Sequence, residues 1–133
     1  MSRGPETTFI QSIHRLLPKD VYRMKNHHEF NGGIADCWYD GPAADLWVEY
    51  KFVVVPKRDR TLATVDLSPL QREWLRDRAK NGRNVAVIVG CKAGGVWLDA
   101  PDWEEDLTAA EFRRICLSRQ EIAARITNIV CRE

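Results

Sequence analysis

A chain of 133 residues with 44% hydrophobic content suffices for one compact domain with its own core, and nothing in it suggests a second folding unit. Twenty Lys and Arg against nineteen Asp and Glu leave a formal charge of +1, which excludes a chain that grips nucleic acid by overall charge. Any phosphate-binding surface has to be local.

The N-terminal MSRGPETTF lacks the long apolar core of an export signal, and no run approaches bilayer-spanning length, so the expectation is a cytoplasmic protein without a membrane anchor. Cys37, Cys91, Cys116 and Cys131 are widely spaced with no Cys-x-x-Cys pair, which argues against a zinc ribbon or disulfide framework and for reduced, mostly buried thiols.

From Pro5 to Leu17, Phe9, Ile10, Ile13, Leu16 and Leu17 recur at helical spacing until Pro18 stops the pattern, predicting an amphipathic helix. Glu6 sits in its first turn, where a carboxylate complements the positive helix end. It also leads Ile10 and Ile13 on the core-facing stripe, so it could instead reach into the site; both readings stay open. Val21 to Lys25 is a short strand candidate. The polar segment from Asn26 to Gly33 reads as a loop or hairpin. Its adjacent His27 and His28 diverge on a strand and have no further His or Cys at ligand spacing, which favours a substrate-facing loop over a metal site.

Chemistry concentrates between Gly33 and Lys51. Ile34 to Tyr39 and Leu46 to Phe52 read as strands around an Asp40-Gly41-Pro42 turn, an antiparallel hairpin that brings Asp36 near Glu49. Glu49 and Lys51 share one face while Tyr50 points to the other. On an exposed face, such a pair would be merely solvated. Here Ile34, Trp38, Leu46, Trp47, Val48 and the run Phe52 to Val55 surround the charges, and buried carboxylates are costly unless a partner or metal compensates. A hard divalent cation would do so.

Pro56 ends the strand, and residues 56–66 read as a basic, mobile connection carrying Lys57, Arg58 and Arg60. Ser68-Pro69-Leu70-Gln71 is a capping box opening a helix that runs through Lys80 to Asn81-Gly82; capping alone suffices to explain Gln71. Arg72, Arg76, Arg78, Lys80 and Arg83 lie around it. Asn84 to Val89 is a strand buried on both faces, with Gly95 to Leu98 beside it. Thr108 to Glu111 and Ser118 to Glu121 are further capping boxes, the second opening a helix whose Ile122, Ile126, Ile129 and Val130 form one apolar stripe.

Taken in order, Glu6, Ala35-Asp36, Glu49-Tyr50-Lys51 and Leu67-Ser68-Pro69-Leu70-Gln71, ahead of a helix and a strand, resemble the PD-(D/E)XK nuclease superfamily. Within it the chain looks like the small stand-alone VRR-NUC domains of phages and bacteria, related to Holliday-junction resolvases. The match covers about residues 5–98 of a single domain, 1–133, leaving a C-terminal helical extension of about 99–133. Ala35 stands where the motif has its proline, a residue that shapes the strand rather than bonding the metal.

The resemblance implies an α/β fold with a restriction-endonuclease-like core: a mixed sheet, with antiparallel hairpins and a strand after a crossover helix, flanked by helices. It implies that Asp36 and Glu49 ligate Mg²⁺ or Mn²⁺ with the Tyr50 backbone carbonyl, leaving the Tyr50 side chain free to vary. Lys51 would position or deprotonate the attacking water, Glu6 would support the metal or its waters, and Gln71 would hold the nucleophile or a phosphate. Lys57, Arg58, Arg60, Arg72, His27 and His28 would contact DNA. The implied activity is metal-dependent endonucleolytic hydrolysis of DNA, selective for branched, flap or Holliday-junction forms; the alternative is a catalytically inactive DNA-binding or recombination accessory module. Symmetric junction cleavage needs two sites, so a homodimer is expected, with the stripe of Ile122, Ile126, Ile129 and Val130 either forming its surface or packing on its own core.

Overall fold

The computed structural model describes residues 4–26 and 33–132. Helix α1 (Pro5–His14) is followed by β1 (Tyr22–Lys25), β2 (Cys37–Asp40), β3 (Asp45–Phe52) and β4 (Leu62–Ala63). Then come α2 (Pro69–Lys80), β5 (Val85–Cys91), β6 (Gly94–Leu98), β7 (Leu107–Thr108), α3 (Ala109–Ile115) and α4 (Arg119–Cys131). Five strands form one sheet in the order β1-β2-β3-β5-β6, and β4 pairs with β7 in a separate two-stranded ribbon. The mixed α/β architecture expected from the sequence is the one found.

The β2–β3 hairpin pairs Cys37 with Val48 and Asp40 with Asp45 across the Asp40-Gly41-Pro42 turn. Helix α2 is the crossover that returns the chain to lay β5 parallel to β3, with Glu49 beside Val87. Every residue of β5 is buried, as a strand covered on both faces requires. All three capping boxes form, with Ser68, Thr108 and Ser118 each accepting from the backbone N–H three residues on. The first helix ends three residues earlier than the apolar pattern, since Leu16 is exposed and only Leu17 turns inward.

Strand alternation divides the core into two layers. On one face Cys37, Tyr39, Val48, Tyr50, Ala86 and Ile88 meet α1 and α4. On the other, Val85, Val87, Val89, Val96 and Leu98 meet Leu75 of α2, Phe112 of α3 and the buried Trp103. Gly90 lets α1 dock closely: a Cβ there would lie 2.6 Å from the Phe9 ring.

One open alternative closes and two expectations change. Ile122, Ile126 and Val130 are fully buried against the protein's own sheet and α1, with Ile129 packed beside them, so this stripe is spent within the chain and is not a dimer surface. The stretch 56–66 is not a free connection. It contains β4, and Thr61 and Asp59 carbonyls accept from Ala109 and Ala110 at the start of α3, while Arg113 bonds Asp59 Oδ1 at 3.1 Å and the Pro56 carbonyl. Finally, the Tyr50 side chain is not free to vary: it is completely buried, and its hydroxyl meets that of Tyr39 at 2.6 Å.

Candidate active site

The site forms where β2 stops pairing with β3. Trp47 and Val53 donate their N–H groups toward β5, to the carbonyls of Asn84 and Gly90. Residues between them alternate, so the N–H and carbonyl of Tyr50 face β2. Ladder pairing with β2 ends at Val48 opposite Cys37, and the Asp36 side chain takes over: its Oδ2 accepts from the Tyr50 N–H at 2.9 Å. The backbone of Asp36 is fixed in turn by Asn26, whose N–H donates to its carbonyl at 2.6 Å. The Tyr50 carbonyl, on the same side as its N–H, points toward the gap that Asp36 borders.

Glu49 stands on the opposite side-chain face from Tyr50 and is only 3% exposed. Its Oε2 receives a bond from Gln71 Nε2 at 3.2 Å and lies 3.8 Å from Lys51 Nζ. Gln71 therefore does two jobs. Its Oε1 caps α2 through the Ser68 N–H at 2.9 Å, while its amide N–H₂ holds the carboxylate. Burial, and then the Asp36 carboxylate, push Glu49 up to about 9, with Lys51 opposing and Glu6 adding to the rise. The buried Glu49 Oε1 has no hydrogen-bond partner. A proton on Glu49 would satisfy that oxygen against Asp36; so would a cation.

Glu6 reaches this cluster from α1. It is half-buried and its carboxyl is raised, first by burial, then by Asp36, with Lys51 and Lys25 pulling it back. The five residues Glu6, Asp36, Glu49, Lys51 and Gln71 are thus brought together from three separate elements and the loop before β2. Sequence reasoning missed Lys25. As the last residue of β1 and the register partner of Cys37, it adds a second cation beside Glu6, and only the β1–β2 register could have revealed it. It also missed the tie behind Tyr50, where His14 Nε2 meets Tyr39 Oη at 2.8 Å. Burial, followed by Arg23 and Lys25, lowers His14 to about 4, so the ring stays neutral within this network.

The candidate DNA contacts are less gathered. Lys57, Arg58 and Arg60 are exposed in the loop after β3, whereas Arg72 is partly buried and its Nε has no hydrogen-bond partner. His27 and His28 lie outside the described residues. An apolar cavity of about 1020 Å³, lined by Phe9, Phe52, Val55 and Phe112 among others, includes none of the five site residues.

The donor set suits a hard cation. Among the described residues no three His, Cys, Asp or Glu side chains form a ready metal cage. Asp36, Glu49 and the Tyr50 carbonyl together offer oxygen ligands only, and an ion content with few protein ligands and several waters matches that supply. The orphaned Glu49 oxygen and the crowded carboxylates are what such an ion would relieve.

No family model matches the chain, and no curated protein matches it. Among solved structures it is similar to Hjc, a Holliday junction resolvase from the archaeal hyperthermophile Archaeoglobus fulgidus. The TM-score is 0.57 at 15% identity, over 91% of this chain and 97% of that one. The likeness is one of fold: a five-stranded mixed sheet flanked by helices. No helix among the described residues is long and apolar enough to cross a membrane.

Proposed function

We propose that this chain is a cytoplasmic, metal-dependent DNA endonuclease of the PD-(D/E)XK type, akin to the stand-alone VRR-NUC domains and selective for branched DNA. The observation that carries the reading is the buried Glu49 carboxylate with an orphaned oxygen, facing Asp36 and bonded by Gln71. A purely structural site would place an apolar residue or a satisfied pair there.

Asp36, Glu49 and the Tyr50 carbonyl would hold Mg²⁺ or Mn²⁺, with Glu6 acting through water. The ion, when bound, supplies charge neutralisation at the scissile phosphodiester and a more acidic water. The chain's own groups do the rest. Lys51, tethered 3.8 Å from Glu49, positions the attacking water or takes its proton. Gln71, held by the cap of α2, keeps Glu49 in place and offers an amide N–H to a phosphate oxygen. The Asp36 bond to the Tyr50 N–H sets the distance between the two carboxylates. Lys57, Arg58, Arg60 and Arg72, with His27 and His28, would carry the flanking phosphates. The resolvase named above acts on a four-way substrate, and its fold is the one this chain shares. Symmetric resolution would pair two copies, each a single domain spanning 1–133.

The test is incubation of purified protein with duplex, single-stranded, flap and four-way junction DNA, in Mg²⁺, Mn²⁺ or EDTA. We expect metal-dependent nicking that favours branched forms and disappears in Asp36→Ala. A folded protein that binds junctions yet cuts none of them in either metal would replace this reading with the accessory module.

A further inference from the structure

Three of the proposed catalytic positions have a tryptophan as the next residue along the same face. Asp36 on the β2 side is followed two residues on by Trp38, Glu49 on β3 is preceded two residues back by Trp47, and Gln71 on α2 is followed one turn on by Trp74. Trp38 and Trp47 are direct register partners with ring centroids 6.1 Å apart. Trp47 meets Trp74 at 5.4 Å, and Tyr22 of β1 meets Trp38 at 5.9 Å. The Arg78 guanidinium lies 5.5 Å from the Trp74 ring centre. The result is one row of four aromatic rings, edged by a cation, that crosses the sheet alongside the candidate catalytic centre.

Only half of this row is needed by the core. Trp47 and Trp74 pack against the layer beneath α2, but Trp38 and Tyr22 belong to neither core cluster. Tyr22 is 58% exposed, and Met24, the register partner of Trp38, is 44% exposed. Flat rings left open beside a phosphate-cleaving centre fit the faces of unpaired bases, with the sugar-phosphate chain kept outward in solvent. Asp40 and Asp45 close the far end, Asp45 accepting from Trp38 Nε1 at 2.8 Å, so phosphates are repelled beyond the rings. A second copy of the chain is a poorer occupant. Seated on this face it would cover Asp36 and Glu49.

We propose that Tyr22, Trp38, Trp47 and Trp74 form a stacking platform for about three unpaired bases of a DNA strand entering the catalytic centre. The proposal deepens the nuclease reading by naming the single-stranded arm of a branched substrate as what the site recognises, and it rests on that reading. Its test is separable, because binding is measured in EDTA and cleavage in metal.

Titrating a short oligothymidylate into the full chain in EDTA should quench tryptophan emission saturably, against a constant background from the buried Trp97 and Trp103. Trp38→Ala and Tyr22→Ala should each weaken that binding roughly tenfold, while Trp38→Phe keeps most of it. Tyr22, being exposed, keeps the test valid if Trp38→Ala folds poorly. Affinity for fully paired duplex, whose bases are not free to stack, should be unchanged in Tyr22→Ala. The platform is overturned if oligothymidylate leaves the emission unchanged while duplex is bound, or if both alanine variants bind it as wild type does. A wild-type dimer that Trp38→Ala converts to monomer in light scattering would equally overturn it, making this face an interface between copies. Loss of metal-dependent cleavage on every DNA, with stacking intact, would instead remove the nuclease reading alone.

Discussion

Replacing Glu49 by Gln should stabilise the metal-free protein, by an amount that depends on pH. In the unfolded chain this carboxyl ionises near 4.5, and in the fold it is pushed up to about 9. Between those values the folded state holds a proton that the unfolded state has released. Stability therefore falls as pH rises through the window, by about 1.4 kcal/mol per pH unit. By pH 7 the accumulated loss is roughly 3 kcal/mol, a large part of a small domain's total. The amide of Gln carries no charge and presents an N–H₂ to Asp36 where the protonated acid would present its O–H, so the variant escapes the loss. Glu6 is raised as well, but it is present in both proteins and largely cancels in the difference. Urea unfolding of both proteins in EDTA, from about pH 5 to pH 9, measures the effect. The two should have similar midpoints at the acid end and diverge steadily toward the alkaline end, with wild type the weaker. Mn²⁺ should then close most of the gap at high pH by stabilising wild type. Parallel curves across the range would refute the argument that Glu49 is a proton-hungry carboxylate.

Asp36→Ala and Lys51→Ala should each lower metal-dependent cleavage by at least about a hundredfold while leaving junction affinity in EDTA close to wild type, as measured by gel shift. Gln71→Ala removes both a cap bond and the tether on Glu49, and should cost about 1 kcal/mol in urea unfolding together with a drop in cleavage; Gln71→Glu should restore the cap but not the cleavage. Gly41→Ala would place a methyl 2.5 Å from the Val130 carbonyl, where the β2–β3 turn rests on the end of α4, and a loss of about 1–3 kcal/mol is expected from thermal unfolding. Neutralising Lys57, Arg58 and Arg60 together should weaken binding to all DNA sequences and flatten its salt dependence, read from affinities at several ionic strengths.

The hairpin, the crossover helix and the doubly buried β5 were legible because each rests on a local signal: a turn, a capping box, an unbroken apolar run. Hairpin register is enough to bring Asp36 near Glu49, whereas Gln71, which capping alone explains, joins them only through the family resemblance. What escaped is what depends on distant pairing. The β4–β7 ribbon joins Leu62 to Thr108 across 46 positions of sequence, and two-residue strands leave no periodicity to read. Lys25 joins the site only through the register of β1 with β2. The apolar stripe on α4 looked equally suited to a partner or to its own sheet, because amphipathicity reports that a face is covered and not by what. The side chain of Tyr50 was misjudged since the resemblance assigns a role to its backbone carbonyl alone, while its ring belongs to the layer on the other side.

That last division reaches along the whole of β3. Consecutive residues of this strand answer to different demands: Leu46, Val48 and Tyr50 lie in the α1 and α4 layer, while Trp47, Glu49 and Lys51 look onto the face of the candidate site. A saturation library over these six codons, sorted once for soluble yield and once for DNA damage in the host, would return two fitness profiles one residue out of phase. Leu46, Val48 and Tyr50 would tolerate only shape-matched replacements in the first screen, Glu49 and Lys51 would be silent there and dominate the second, and Trp47, which also packs beneath α2, would register in both. An engineer wishing to disarm the protein without losing its expression has two safe addresses on that strand, Glu49 and Lys51, and an engineer wishing to harden it should look to Leu46, Val48 and Tyr50.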